Sequence, residues 1–501
     1  MPKRTTSFHL TLAPPAAGMP AHRWLYSAIR AQILDGALRP GSHLPSTREL
    51  ATLYDLSRGT IVSAFEKLIS EGYLEAFTGS GTRVSKTLPE DWLNVRRSGV
   101  VNQNKRVLPK RHLSAYAKRI TLFPGYDNRV TRAFRSNVPN LDAFPMELWT
   151  QITARVLRRA STQHLLGCPP MGYEPLQSAV VDYLASSRGV KCQPQQIVIV
   201  SGVQEALDLT ARLFVDRGDR VCMESPSYIG ASQVFEALGA KALHAGMDSE
   251  GMKLPGHAAR NVRLAYVTPG HQFPLGTTMS LARRLALLDW ARSAGAIIFE
   301  DDYDGEFRYS GRPIPALQGL DRASCVLYAG SFSKVLFPSL RLAYLVVPEG
   351  LVDRFASAKS LTTRHAPVLD QAVLSEFIKE GHFGRHIRRM RELYAERLAT
   401  LLQTAAQELR GLLEISPIEA GLQTVGWLQK GISESAAAKA AQSRSVDVTP
   451  LSTYCRRPMS RPGFQLGFAA VDPREIRRGV RDLAAALEPL ATNRRPKLEN
   501  F

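Results

Sequence analysis

The sequence predicts a multidomain chain: a small α+β head at the N-terminus, then a much larger α/β unit with a mainly parallel sheet and a smaller α+β subdomain. Three observations predict it. Length sets the scale, since 501 residues correspond to about two to four domains of ordinary size. Near the N-terminus, three segments with helical periodicity run into two short strands. Beyond about residue 131, short apolar runs alternate with helical stretches, the pattern of strands covered by helices on both faces.

The head is read over residues 20–85. A first helix covers Trp24–Leu34 and ends at Asp35-Gly36, where glycine permits a left-handed cap. A second follows Pro45, capped by Ser46 or Thr47 and running through Tyr54. Ser57 caps a third, Arg58 to about Ser70, whose buried face is read as Ile61, Phe65, Leu68 and Ile69. Tyr73–Phe77 and Thr82–Val84 flank Gly79-Ser80-Gly81 as a hairpin. Two helices joined by a tight turn, with a hairpin behind them, make a winged helix-turn-helix, which lays its last helix in the major groove of DNA.

Charge agrees with a polyanionic partner. The chain carries a net +19, and residues 1–130 hold 19 Lys and Arg against 9 Asp and Glu. Nine of those cations lie between Lys86 and Arg119, so residues 86–130 are read as a basic, flexible linker. Five dispersed cysteines without a C-x-x-C pair favour reduced thiols in a cytoplasmic protein, with neither disulfides nor a metal framework. No apolar run approaches a membrane span, and no secretion signal is expected.

The larger unit, residues 131–490, is divided at about 165–355 and 356–490. Its strands are read at Ile197–Val200, Val221–Glu224, Leu264–Val267, Ala296–Glu300, Val326–Ala329 and Leu342–Val347, with shorter ones near Gln423–Leu428 and Phe464–Phe468. Three motifs carry chemistry. In Gly330-Ser331-Phe332-Ser333-Lys334, a lysine directly after a buried strand can form a Schiff base with an aldehyde. Ser331, and Arg341 seven residues beyond the lysine, are placed to hold a phosphate. In Phe299-Glu300-Asp301-Asp302-Tyr303-Asp304, Asp301 stands at the carboxyl end of a parallel strand, where ligands of open α/β sheets bind. Asp302 and Asp304 are read as surface charges. In Ser201-Gly202-Val203-Gln204, a strand, a glycine turn and a helix start form a cradle of backbone N–H groups.

These motifs resemble known families. Leu44–Ala51, Ser57–Thr60, Leu68–Leu74 and Gly79–Thr82 resemble the GntR superfamily, which implies DNA contacts from Arg48, Ser57, Arg58, Thr60 and Gly81. The remainder resembles the fold-type-I, aspartate-aminotransferase-like proteins, α/β transferases dependent on pyridoxal 5′-phosphate. Together the chain looks like the MocR/GabR group of GntR regulators. The resemblance implies a cofactor on Lys334, its pyridine nitrogen on Asp301, its phenolic oxygen on Tyr303 and its ring stacked on Tyr228. Ser331, Arg341, Gly202, Val203 and Gln204 would hold the phosphate, and His271, in Thr268–Gly276, would belong to the pocket.

Two departures stand out. The stretch Pro462–Phe468 lacks the arginine with which many aminotransferases clamp a substrate carboxylate; Arg461 lies just before it, and Gly230 stands where some relatives carry a second arginine. Gly167–Tyr173 lacks a tyrosine that reaches across a dimer in relatives. The expected function is therefore transcription regulation by a head-to-tail homodimer that binds operator DNA and senses an amine, an amino acid or the cofactor itself. The alternative is an active aminotransferase with an accessory DNA module.

Overall fold

The computed structural model describes residues 18–77, 81–88, 111–123, 129–254, 261–309, 314–415, 417–456 and 459–492, with Leu12 and Pro14. The chain forms two compact units, residues 1–110 and 111–501. Among the described residues, no helix is long and apolar enough to cross a membrane.

In the first unit, α1 spans Ala21–Leu34, α2 Thr47–Tyr54 and α3 Arg58–Ser70, followed by the antiparallel strands β1 (Leu74–Phe77) and β2 (Gly81–Val84). Local chemistry sets each helix start. Ser46 and Glu49 form a reciprocal capping box, and the Ser57 hydroxyl accepts from Thr60 N at 3.1 Å. Asp55, in the left-handed region at φ 52°, turns the chain between α2 and α3. On the other side of β2, Leu44 N donates to Thr82 O and Val84 N to Ser42 O, so residues 42–44 extend the hairpin sideways. Leu25, Ile29, Leu50, Ile61, Ala64, Phe65 and Leu68 fill a core confined to this unit. The buried face of α3 differs from the expected one: Ala64 is buried and Ile69 is exposed, because the helix turns 100° per residue and Leu68 already occupies the inward position. The loop residues Gly79 and Ser80 lie outside the described residues.

The second unit begins earlier than residue 131. Most of the expected linker, 89–110 and 124–128, lies outside the described residues, but 111–123 is no free tether. It contains a short helix, Ala115–Arg119, and Arg119 Nε donates to Ala237 O at 2.9 Å.

An eight-stranded sheet forms the middle of this unit. Its strands are β3 (Ile197–Val200), β4 (Arg220–Ser225), β5 (Lys241–Asp248), β6 (Gly251–Met252), β7 (Val262–Val267), β8 (Ile297–Asp302), β9 (Val326–Ser331) and β10 (Ala343–Val346). They are ordered β3-β10-β9-β8-β7-β4-β5-β6; β9 through β5 run parallel, while β10 is antiparallel to both its neighbours. Side chains alternate between faces. Leu264 and Tyr266 join Leu207 and Phe235 of the helices Val203–Phe214 and Ile229–Leu238 on one side. Ala265 and Val267 join Leu287 and Ala291 of the helix Leu281–Ala294 on the other. The strand β5 was not expected, because it is half-exposed, flanked on its outer side only by the two-residue β6, and has no continuous apolar run.

The smaller subdomain holds an antiparallel sheet of β11 (Leu413–Ile415), β12 (Gln423–Leu428), β13 (Thr449–Pro450) and β14 (Gly463–Gly467), ordered β11-β12-β14-β13. It also contains the helices His382–Glu408 and Pro473–Thr492. Residues 133–137 belong to it physically: Gly467 N donates to Phe134 O, and Asn137 N to Gln423 Oε1.

Because the two cores share no residue, Leu50→Ala should empty part of the head core alone. The expected loss is about 2–5 kcal/mol of head stability, seen in scanning calorimetry as one lowered transition while that of the larger unit stays in place. A common shift of both transitions would contradict two independent cores.

Candidate functional site

The sheet topology brings the motifs together. β10 lies between β9 and β3, so Ala343 sits level with Ser331 on one side and with Val200 on the other. Arg341, just before β10, Ser331, ending β9, and Gly202, just after β3, therefore converge at one end of the sheet. β8 lies next to β9 with Asp301 opposite Ala329, which carries Asp301 to the same end as Lys334.

A cavity of about 890 Å³ opens there. Gly202, Val203, Gln204, Tyr228, Asp301, Tyr303, Ser331, Lys334 and Arg341 all line it. His271 does not; it stands one layer back, bonded to Tyr303.

Lys334 is half-buried, and its Nζ donates to the backbone oxygen of Asn137 at 2.7 Å. Burial pushes its amine down to about 8, against the opposing pull of Asp304 and Asp301. Asp301 is buried, and its Oδ2 accepts from Tyr266 Oη at 2.7 Å. Burial, aided by Asp302 and Asp304, pushes its carboxyl up to about 7 despite the Tyr266 bond and Lys334. Its other oxygen, Oδ1, is buried without a partner, as are Gln204 Oε1 and Ser333 Oγ. An orphaned carboxylate oxygen is costly, and it fits a site that awaits an N–H donor from a ligand.

At the opposite end, Gly202 (φ 146°) precedes the helix Val203–Phe214, whose first N–H groups point outward. The Arg341 guanidinium lies over this glycine: a Cβ there would stand 3.1 Å from Nη2. Cation and helix start together make an anion site. Glu205, on the first turn, is pinned by the buried Lys359 at 2.5 Å and by Ser201 N, which fixes the helix start. Tyr228 meets Phe273 edge-on at 5.9 Å and Phe123 at 6.2 Å.

Several site residues were not legible as such. Tyr266 holds Asp301 from the neighbouring strand β7; its only signal was a hydroxyl inside an apolar strand. Asn137 and Ser333 also line the cavity, as does Phe273. Asp302 and Asp304, expected at the surface, are buried: Asp302 pairs with Arg188 and accepts from Tyr328 at 2.6 Å, and Asp304 bonds His271. Asp302 is covered by Arg188 and Tyr328, and Asp304 by His271 and Gly421 of the smaller subdomain, distant segments that the local sequence does not announce. Arg461 is engaged by Glu414 and Trp427. At Gly230, a Cβ would stand 2.5 Å from Gln204 Oε1 and 2.6 Å from Tyr228, so the space for a side chain is taken.

On the head, Arg48, Ser57, Arg58 and Gly81 are exposed and Thr60 is half-exposed, with Ser57, Arg58 and Thr60 gathered at the N-terminal turn of α3. Ser57 is partly committed as a cap, with Thr60 Oγ1 at 2.8 Å. The wing residue Gly81 adopts φ +83°, and nothing lies within 4 Å of where its Cβ would be.

The fold and site thus define a helix-turn-helix head joined to an aminotransferase-like domain whose cavity fits pyridoxal 5′-phosphate, and comparison with known proteins agrees. Residues 22–84 match bacterial regulatory proteins of the gntR family, and residues 134–483 match aminotransferase class I and II. The probable rhizopine catabolism regulatory protein MocR of Rhizobium meliloti is 38% identical over 95% of this chain and 96% of its own. The HTH-type pyridoxine biosynthesis transcriptional regulator PdxR of Corynebacterium glutamicum is 29% identical over 92% of this chain and 95% of its own. Among solved structures, the α-aminoadipate aminotransferase LysN of Thermus thermophilus, complexed with N-(5′-phosphopyridoxyl)-L-leucine, superposes with a TM-score of 0.66 at 30% identity, covering 71% of this chain and 92% of that one. The chain belongs to the MocR-type group of GntR regulators, and its cofactor is pyridoxal 5′-phosphate.

The amine of Lys334 is neutral, and so nucleophilic, above about pH 8. Borohydride-trapped labelling of Lys334 by pyridoxal phosphate, followed by peptide mass spectrometry, should therefore climb through that pH. A profile that climbs only near the ~10.4 of a free lysine would contradict the depressed value.

Proposed function

We propose that this protein is a cytoplasmic transcription regulator whose aminotransferase-like domain binds pyridoxal phosphate and reads an amine or amino-acid effector, or the cofactor itself. The observation that carries the reading is the pairing, in one chain, of an exposed α3 N-terminus bearing Arg58 with a cavity where Lys334, Asp301 and the Arg341–Gly202 cradle converge.

When bound, the cofactor supplies an aldehyde and an electron-withdrawing ring. The residues supply the rest. Lys334 presents its Nζ as nucleophile and proton carrier. Asp301 Oδ1 would accept from the pyridine nitrogen and keep it protonated. Arg341, Gly202 and the following N–H groups would hold the phosphate, with Ser331 beside them, and Tyr228 lines the same cavity. No arginine of β14 is available to clamp a carboxylate, and Arg461 is turned to Glu414. This favours sensing over sustained transamination.

Residues 111–123, which follow the segment between the two units in sequence, dock on the helix Ile229–Leu238, with Gln233 Nε2 donating to Thr121 Oγ1 at 3.1 Å and Phe123 against Tyr228. A ligand that moves Tyr228 pulls on this segment, and its differential affinity for two states shifts DNA binding. We also infer a head-to-tail homodimer. Leu165 and Leu166, next to Gly167, and Leu361, one turn before the His365 that packs on Gly167, are largely exposed and present an apolar surface for a second copy.

Lys334→Ala should abolish the visible absorption of the bound cofactor and blunt the effector's influence on operator binding, read by spectrophotometry and gel shift; a variant retaining both would refute the assignment. Arg58→Ala should weaken operator binding by roughly 1–3 kcal/mol if it reads a base. Unchanged binding across a salt series would remove Arg58 from the interface. Turnover of an amine donor with a keto-acid acceptor over many cycles would favour the aminotransferase reading.

A further inference from the structure

Behind the cavity wall lies a buried pair with no task in the scheme above. His271 Nδ1 is 2.9 Å from Asp304 Oδ2 and 3.0 Å from Tyr303 Oη. His271 and Asp304 are only 4% and 1% exposed. Two glycines make room for them. A Cβ at Gly276 would stand 3.0 Å from His271 Nε2, and one at Gly421 would collide with His271 Cε1 and press on Asp304 Oδ2.

A single ring nitrogen cannot donate to Asp304 and accept from Tyr303 at once. A carboxylate accepts, so the network assigns the ring proton to Nδ1. Tyr303 Oη then accepts from His271 as well. Gln423 also neighbours this hydroxyl; its Oε1 accepts from Asn137 N at 2.9 Å, and its Nε2 is buried without a partner. With the imidazole N–H on that side, the tyrosine's own O–H is left free for the cavity, toward the side lined by Asp301 and Lys334. Burial, with Asp304 and Asp301 close by, pushes the Tyr303 hydroxyl well above its ordinary range, so it keeps its proton.

We propose that His271, oriented by Asp304, is a positioning residue that obliges Tyr303 to act as a hydrogen-bond donor to the phenolic oxygen of bound pyridoxal phosphate. This rests on the cofactor reading above, and it replaces direct contact by His271 with action through Tyr303. A donor on the phenolic oxygen weakens that oxygen's hold on the proton of the nitrogen contributed by Lys334. That proton then leaves at lower pH.

The test is a spectrophotometric pH titration of the visible band, with cofactor affinity measured alongside. His271→Leu should raise the midpoint by about one pH unit and the dissociation constant for pyridoxal phosphate roughly tenfold, the scale of one lost hydrogen bond. His271→Asn, whose amide N–H stands near the place of Nδ1, should restore both toward the wild type. In a Tyr303→Phe background, His271→Leu should add nothing. Asp304→Asn, which can donate to Nδ1 and reverse the ring tautomer, should shift the midpoint in the same direction and serves if the leucine variant does not fold. An unchanged midpoint in the folded variants, or an undiminished shift without Tyr303, would overturn the proposal. A wild-type protein that shows no band with added cofactor would overturn the cofactor reading together with it.

Discussion

The site depends on one electrostatic constraint: an amine and a carboxylate must face the same cavity from the ends of adjacent parallel strands without neutralising each other by contact. Asp301 ends β8, Lys334 follows β9, and the register fixes their relative positions. Burial drives the two groups toward each other in proton affinity, the carboxyl up to about 7 and the amine down to about 8. Each is thereby made responsive to a ligand. A protonated pyridine N–H would stabilise the Asp301 carboxylate, and an aldehyde would take up the Lys334 amine in its neutral form.

Such a site is expensive to hold, and the surrounding structure offsets the cost with hydrogen bonds. Glu224 is buried and pushed up to about 7 by desolvation, yet its oxygens accept from Thr268 N, Thr268 Oγ1 and Gln272 Nε2, fastening the loop that carries His271 and Phe273. Glu300 accepts from the N–H groups of Leu317 and Gln318 at the start of a short helix. Asp302 is paired with Arg188 and Tyr328. The result is a rigid acidic floor that leaves Asp301 Oδ1, alone among the oxygens of these four carboxylates, buried without a partner.

The contrast with the head is physical. There the cap and capping-box bonds are local, spanning three residues, and the functional side chains lie outside a small apolar core. In the larger unit the decisive contacts span the chain: Lys334 to Asn137, Asn137 to Gln423, Tyr266 to Asp301. The cavity is thus lined by residues from several distant segments, among them Asn137, Asp301, Lys334 and Phe123.

What the sequence by itself determined was whatever short-range chemistry controls. Helix starts at Ser46 and Ser57, the apolar strands Ile197–Val200 and, as far as Ala329, Val326–Ser331, and the lysine, aspartate and glycine motifs were legible because caps, periodicity and turns act within a few residues. Only the tertiary structure decided the half-exposed strand β5, the burial of Asp302 and Asp304, the retreat of His271 behind Tyr303, and the docking of residues 111–123. Burial and pairing of that kind depend on which distant segment packs on top, and local residue patterns do not encode that.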